Sequence, residues 1–155
     1  MSNKLTPFFW FDYDLKAVLD YYQTIFNHDG QEYFEKLDYT VVSETPEQKL
    51  ELATVKIFGN EYQFMAAGPY AKFTDAISLM IKTDTQEETD YYWEAFTKEG
   101  KESQCGWCQD KYGVSWQITP KKLLELNMSE DAEVRNYSMA QMMKMKNIII
   151  KDLEK

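Results

Sequence analysis

Cys105-Gly106-Trp107-Cys108-Gln109-Asp110-Lys111-Tyr112-Gly113-Val114-Ser115-Trp116-Gln117-Ile118-Thr119-Pro120 is the stretch whose reading decides the fold. Asp-Lys-Tyr-Gly is a turn, with glycine at the position where turns most often place it. A short strand follows over Val114–Thr119 and stops at Pro120, which cannot extend a strand ladder. Trp107–Gln109 is the strand before the turn, so the segment is a hairpin. Strand residues alternate between two faces. Trp116 and Ile118 therefore pack under a covering layer, and Ser115 and Gln117 point the other way.

Outward from this hairpin, the chain repeats itself. Asp20-Tyr21-Tyr22, Phe26 and Gly30 recur 70 positions on as Asp90-Tyr91-Tyr92, Phe96 and Gly100. Asp14 and Asp84 share that offset, as do the strand-like runs Pro7–Phe11 and Ile77–Ile81. Two related halves are the economical explanation. Each half opens on a strand that leads into an amphipathic helix. In the first helix Leu15, Val18, Leu19, Tyr22, Ile25 and Phe26 form one apolar stripe. The second is punctuated by a Thr85 cap with Glu88 three residues later, and by Gly100 as a stop. Strands are then expected at about 32–39, 50–58 and 62–66 in the first half, with Gly59-Asn60 as a tight turn. In the second half they are expected at about 102–105, 107–109 and 114–119. The order strand-helix-strand-strand-strand thus occurs twice, at about 5–67 and 75–119. Gly68-Pro69 begins the linker. The tail, 120–155, carries a helix from a Ser129 cap to about Lys146, with Met139, Met142 and Met143 at contact spacing.

Composition narrows the function classes. A chain of 155 residues is one ordinary domain, and 44% apolar with 15% aromatic residues excludes a disordered one. The formal net charge of -9 argues against nucleic acid and anionic membranes as partners. Arg135 is the only arginine, so a site built on arginine forks is not expected. Residues 1–11 carry one lysine and a short apolar run broken by proline, which is not a signal-peptide pattern. No run reaches the ~18 apolar residues of a membrane span. With two cysteines only, these features suggest a cytoplasmic protein.

The chain resembles the vicinal-oxygen-chelate superfamily, which includes glyoxalase I, extradiol dioxygenases and bleomycin-resistance proteins. Within it the wording is similar to the PhnB-like branch, often named after a ubiquinone methyltransferase. The carrying motifs are Pro7-Phe8-Phe9-Trp10-Phe11-Asp12, Ala76-Ile77-Ser78-Leu79, Gln86-Glu87-Glu88 through Tyr92-Trp93, Gln104-Cys105-Gly106-Trp107 through Pro120, and Met142-Met143-Lys144-Met145-Lys146. The resemblance implies an α+β fold: two βαβββ modules forming a cupped mixed sheet flanked by helices, plus a C-terminal helix. Metal-dependent relatives place histidines on the first strand of each half and a carboxylate on the last strand. The matching positions here are Thr6, Ala76 and Gln117, none of them a good ligand for a divalent cation. The resemblance implies modules paired within a chain or across a dimer, and with the burial that the Met-rich tail offers a homodimer is expected.

Other chemistry is weakly supported. The single histidine, His28, follows a helix near Gly30 and reads as a surface residue. Cys105 and Cys108 have redox or half-zinc spacing. They lie in a strand–turn region rather than at a helix N-terminus, and no second pair completes a zinc site. They read as structural thiols. Asp110 with its neighbouring lysines reads as a solvated turn rather than an acid–base pair. The six glycines, at 30, 59, 68, 100, 106 and 113, contain no Gly-x-Gly, so no doubly wound cofactor site is expected.

What remains is a pocket. If Phe9, Phe11, Ile77, Leu79 and Ile81 face the helices, then Phe8, Trp10, Ser78 and Met80 face the concave side, with Ser115 and Gln117. Rings with a few neutral hydrogen-bonding groups describe a small-molecule site. Trp10, Ser78 and Gln117 are expected to be neighbours in it. The expected function is metal-independent binding of a small apolar or aromatic molecule, with no cofactor. The rivals are a divalent-metal lyase, isomerase or dioxygenase with non-standard ligands, and a structural dimer without ligand.

Overall fold

A computed structural model describes residues 4–155; the first three residues of the segment read for a leader lie outside the described residues. The chain divides into two compact units, residues 1–72 and 73–155. Both have the expected βαβββ order, in an α+β architecture.

The first unit runs β1 (Phe8–Phe11), α1 (Leu15–Phe26), β2 (Phe34–Glu44), β3 (Lys49–Ile57) and β4 (Asn60–Ala66). Its sheet has the order β1-β4-β3-β2, with β1 parallel to β4 and the other pairs antiparallel. α1 starts where Asp14 accepts from the Ala17 amide at 3.1 Å, an N-cap that satisfies an otherwise orphaned donor. Its whole apolar stripe is buried as expected. Phe9, Phe11 and Phe64 form one ring cluster beneath it, with Tyr22 against Phe11 and Phe64 at 6.2 and 5.8 Å.

The second unit runs β5 (Leu79–Thr83), α2 (Gln86–Thr97), β6 (Lys101–Glu102), β7 (Trp107–Gln109) and β8 (Ser115–Pro120). The order β5-β8-β7-β6 repeats the first sheet, again with the first and last strands parallel. The sequence repeat is visible in packing. Tyr21–Tyr22 and Tyr91–Tyr92 both make edge contacts at 5.1 Å. Tyr22 and Tyr92 are both buried, as are Phe26 and Phe96.

The Thr85 cap is present, accepting from the Glu88 amide at 3.1 Å. Glu88 reaches back to the amide of Asp84 at 2.9 Å, one residue earlier than the capping box predicts. The helix then ends at Thr97, before Gly100 is reached. Gly100 has another role: a Cβ there would collide with the carbonyl oxygens of Gln109 and Phe96. Its bareness lets the chain pass close under β7.

Three expectations are corrected. Ile77 does not face a helix; it is 68% exposed, because β5 begins at Leu79 and strand alternation has no meaning before it. β6 covers Lys101–Glu102, not 102–105, since Cys105 turns with a φ of 60°. The tail is not one helix from Ser129 to Lys146. α3 spans Lys121–Asn127, α4 spans Ala132–Met142 with Asp131 as its N-cap, and a 3-10 turn covers Ile150–Leu153. The helix stops early because Met145 and Lys146 use their carbonyls to accept from the amides of Cys105 and Gly106, at 2.8 and 2.7 Å. The tail buries Ile148 and Leu153 against Leu123 and Leu126. Among the described residues no helix is long and apolar enough to cross a membrane.

Candidate functional site

The two faces of the second sheet are set by β8. Trp116 and Ile118 are buried, and Trp116 stacks on Phe96 of α2 with ring centroids 4.5 Å apart and planes at 14°. Such a pair adds about 0.5–1.5 kcal/mol to area burial. Leu79, Ile81 and Cys108 share this covered side, since Leu79 and Cys108 register with Trp116 and Ile81 with Ile118.

Asp110 supports that side, and here the expectation of a solvated turn fails. Its carboxylate is 3% exposed. One oxygen accepts from the amides of Tyr112 and Val114, at 2.9 and 3.1 Å; the other accepts from the Trp116 indole at 2.9 Å. The turn closes around this carboxylate, with Gly113 at a φ of 89°. Hydrogen-bonding capacity therefore goes into fixing β8, not into proton transfer. Burial pushes the Cys108 thiol up to about 12, and the charge on Asp110 adds to the effect. A thiol held protonated is a poor nucleophile. Cys105 is half-buried, and both cysteines are free.

The opposite face is the open one. Met80, Gln117 and Trp107 lie in register across β5, β8 and β7. Gln117 donates from its amide nitrogen to the Ser78 hydroxyl at 2.9 Å. Its carbonyl oxygen is left as an acceptor, because an amide carries both kinds of group. Ser115 registers with Gln109 on this face. It is 2% exposed, and its hydroxyl oxygen finds no partner among the described residues. Beside it is a cavity of about 390 Å³, lined by Asp75, Lys101, Glu102, Trp107, Gln109 and Ser115 among others.

Of the six expected site residues, Met80, Ser115 and Gln117 thus share the open face of one sheet, and Ser78, just before β5, is tied to it through Gln117. Phe8 and Trp10 occupy the corresponding face of the first unit's sheet, away from α1. β1 pairs with β4 of its own unit, so Trp10 and Gln117 belong to different sheets. Trp10 donates to the Gly68 carbonyl at 3.1 Å and lies against Tyr70. His28 sits half-buried beside Asp29 at 3.3 Å.

Sequence reasoning missed Trp107 and Gln109 on the open face. Their alternation with Cys108, in register with β8, was the signal that could have found them. It also missed Glu51, which is 3% exposed on the covered face of β3. Glu51 accepts from the Tyr39 hydroxyl at 2.5 Å and from the Leu15 amide at the start of α1 at 3.2 Å. Tyr39 is pushed up to about 12, by burial first and then by its bond to Glu51. Lys49 also pairs with Glu51 at 3.5 Å, but the two partners that hold it in place, Tyr39 and Leu15, are 12 and 36 residues away.

Residues 3–119 match the family described as 3-demethylubiquinone-9 3-methyltransferase. The chain belongs to that family. No curated protein matches it in sequence. Among solved structures, a PhnB protein of Bacillus cereus bearing the same methyltransferase description is 26% identical. That match has a TM-score of 0.61 and covers 76% of this chain and 99% of that one. Protein PA1353 of Pseudomonas aeruginosa is 14% identical, with a TM-score of 0.58 over 77% of this chain and 98% of its own. The fosfomycin resistance protein FosX of Listeria monocytogenes, solved with Mn(II) and sulfate, is 14% identical. Its TM-score is 0.53, over 75% of this chain and 90% of its own. The likeness at 14% is one of fold. PhnB and FosX are both vicinal-oxygen-chelate proteins, so the superfamily resemblance holds.

Two groups that such relatives imply can be tested against these residues. A divalent metal does not fit. Gln117, which the resemblance matches to a ligating carboxylate, is a neutral amide, a weaker ligand for a divalent cation. Ala76 offers only a methyl group, and among the described residues no three His, Cys, Asp or Glu side chains cluster as a metal site. A methyl-donor nucleotide site of the doubly wound type does not fit either. The sheets are mixed and four-stranded, and no glycine-rich strand–helix turn is present in the sequence.

Proposed function

We propose that this chain is a metal-independent small-molecule binding protein on the glyoxalase/bleomycin-resistance fold. Its site is the open face of the second unit's sheet. The observation that carries the reading is the Gln117–Ser78 hydrogen bond, 2.9 Å long, at the position where metal-dependent relatives hold a ligating carboxylate. An amide anchored by a hydroxyl presents a fixed neutral acceptor. That suits orienting an uncharged polar group, and it does not suit polarising one. Met80 and Trp107 flank it in register and supply apolar surface. A few placed polar groups among apolar ones are the usual composition of a ligand pocket.

The methyltransferase description of the family would require a donor cofactor, and the residues on this face favour binding over transfer. The test is a thermal-shift screen of a small-molecule library against chelator-treated protein. Hits should lose most of their stabilisation in Gln117→Leu, which keeps similar bulk and removes the hydrogen bonds. Hits that appear only after a divalent metal is restored, or that ignore the substitution, would contradict the reading.

A homodimer belongs to the same reading. Met139 and Met143 are 44% and 63% exposed on the tail, leaving apolar surface for a second copy. Sedimentation at micromolar concentration should show a dimer; a monomer alone would contradict it.

A further inference from the structure

The geometry points to a ligand without net charge, neutral or zwitterionic, seated in the second unit's cavity with a polar group on Ser115. This rests on the open face being a ligand site and extends it to a class of molecule. The cavity, about 390 Å³, falls within the roughly 300–1,000 Å³ typical of small-molecule pockets.

Its floor is neutral. Ser115 is 2% exposed, and its hydroxyl has no hydrogen-bond partner among the described residues. A buried hydroxyl left unpaired is costly, and a bound acceptor or donor would relieve that cost. Gln109 stands across the ladder from it and adds an amide. Trp107, half-buried on the same strand, offers a flat apolar wall.

Its rim is balanced in charge. Glu102 is already paired with Lys146 at 3.4 Å. That leaves one carboxylate, Asp75, and one ammonium, Lys101, both exposed and lining the same cavity. An anion or a cation entering this rim meets one favourable and one unfavourable charge, while still losing its hydration. A neutral molecule avoids that cost, and a zwitterion finds both partners.

Four probes with one ring and one phenol separate the cases: 4-hydroxyphenylethanol, tyrosine, tyramine and 4-hydroxyphenylacetate. They are titrated into isotope-labelled full-length protein, with backbone amide shifts followed at low salt. The neutral alcohol and the zwitterion should shift Gln109 and Ser115 and bind at least about fivefold tighter than either singly charged probe. Ser115→Ala should weaken them about fivefold without lowering the melting temperature. Lys101→Gln should weaken tyrosine and spare the alcohol. Tighter binding of a charged probe overturns the inference, as does the absence of any shift at Gln109 and Ser115. If library hits perturb Gln117 and Ser78 but leave Ser115 untouched, the binding function stands and this inference alone falls.

Discussion

The covered and open faces of the second sheet treat buried polar atoms in opposite ways. On the covered side Asp110, 3% exposed, has a donor for each use of its carboxylate, from two amides and an indole. On the open side Ser115, 2% exposed and five residues on, has none among the described residues. Both are short polar side chains on the same hairpin. Folded proteins pair most of their buried polar groups, and of the exceptions here Ser115 is one that lines a cavity. The satisfied one is architecture; the unsatisfied one, beside a cavity, is where function is to be sought.

The sharpest way to break this contrast is at Asp110. Asp110→Ala strands two buried amides and the Trp116 indole, and should cost about 3–5 kcal/mol in urea denaturation. Asp110→Asn keeps one accepting oxygen and should cost roughly half as much. A loss under about 1 kcal/mol in both would mean that the turn does not depend on its carboxylate.

The next effect concerns alkali. Cys108 lies on the covered side, its pKa raised from an ordinary 9.0 to about 12 by burial and then by Asp110. The folded state therefore holds the proton that the unfolded state releases. The resulting stability is complete below pH 9 and is lost as pH rises toward 12. Between pH 8 and pH 11 the parent should lose about 2 kcal/mol more than Cys108→Ala. Equal losses in the two proteins would remove the thiol from the account.

The smallest effect is on the open side. Ser115→Ala removes a buried hydroxyl that makes no hydrogen bond, so without ligand stability should not fall and should rise by about 1 kcal/mol. A loss of 1 kcal/mol or more would show that the hydroxyl has a partner in solution, and the contrast with Asp110 would disappear.

The modular fold was legible because it rests on local, periodic signals. The α1 stripe, the alternation of Trp116 and Ile118, and the Thr85 cap all act within a few residues. The Tyr21-Tyr22 and Tyr91-Tyr92 repeat was legible as text and recurs as packing. What was missed depends on contacts that no period or cap pattern encodes. Residues 145–146 leave the helix to meet the amides of Cys105 and Gly106. Asp110 looked like an exposed turn residue until Trp116 closed over it. α3 follows Pro120, where a proline that ends a strand also opens a helix. Of the candidate site, the side of β8 that Ser115 and Gln117 share was legible from strand alternation; Ser78 lies before β5 and is tied to that side by its bond to Gln117. Asp75 did not follow, because it lies outside any strand, and Lys101 did not, because its strand was expected at about 102–105.

The most direct test of metal-independent binding on the open face is a crystal structure of chelator-treated protein soaked with a library hit. The account predicts density for the hit against Gln117 and Ser78, in contact with Met80 or Trp107, and no metal ion between protein and ligand. A hit bound through a metal ion, or seated on the tail away from this face, would contradict it.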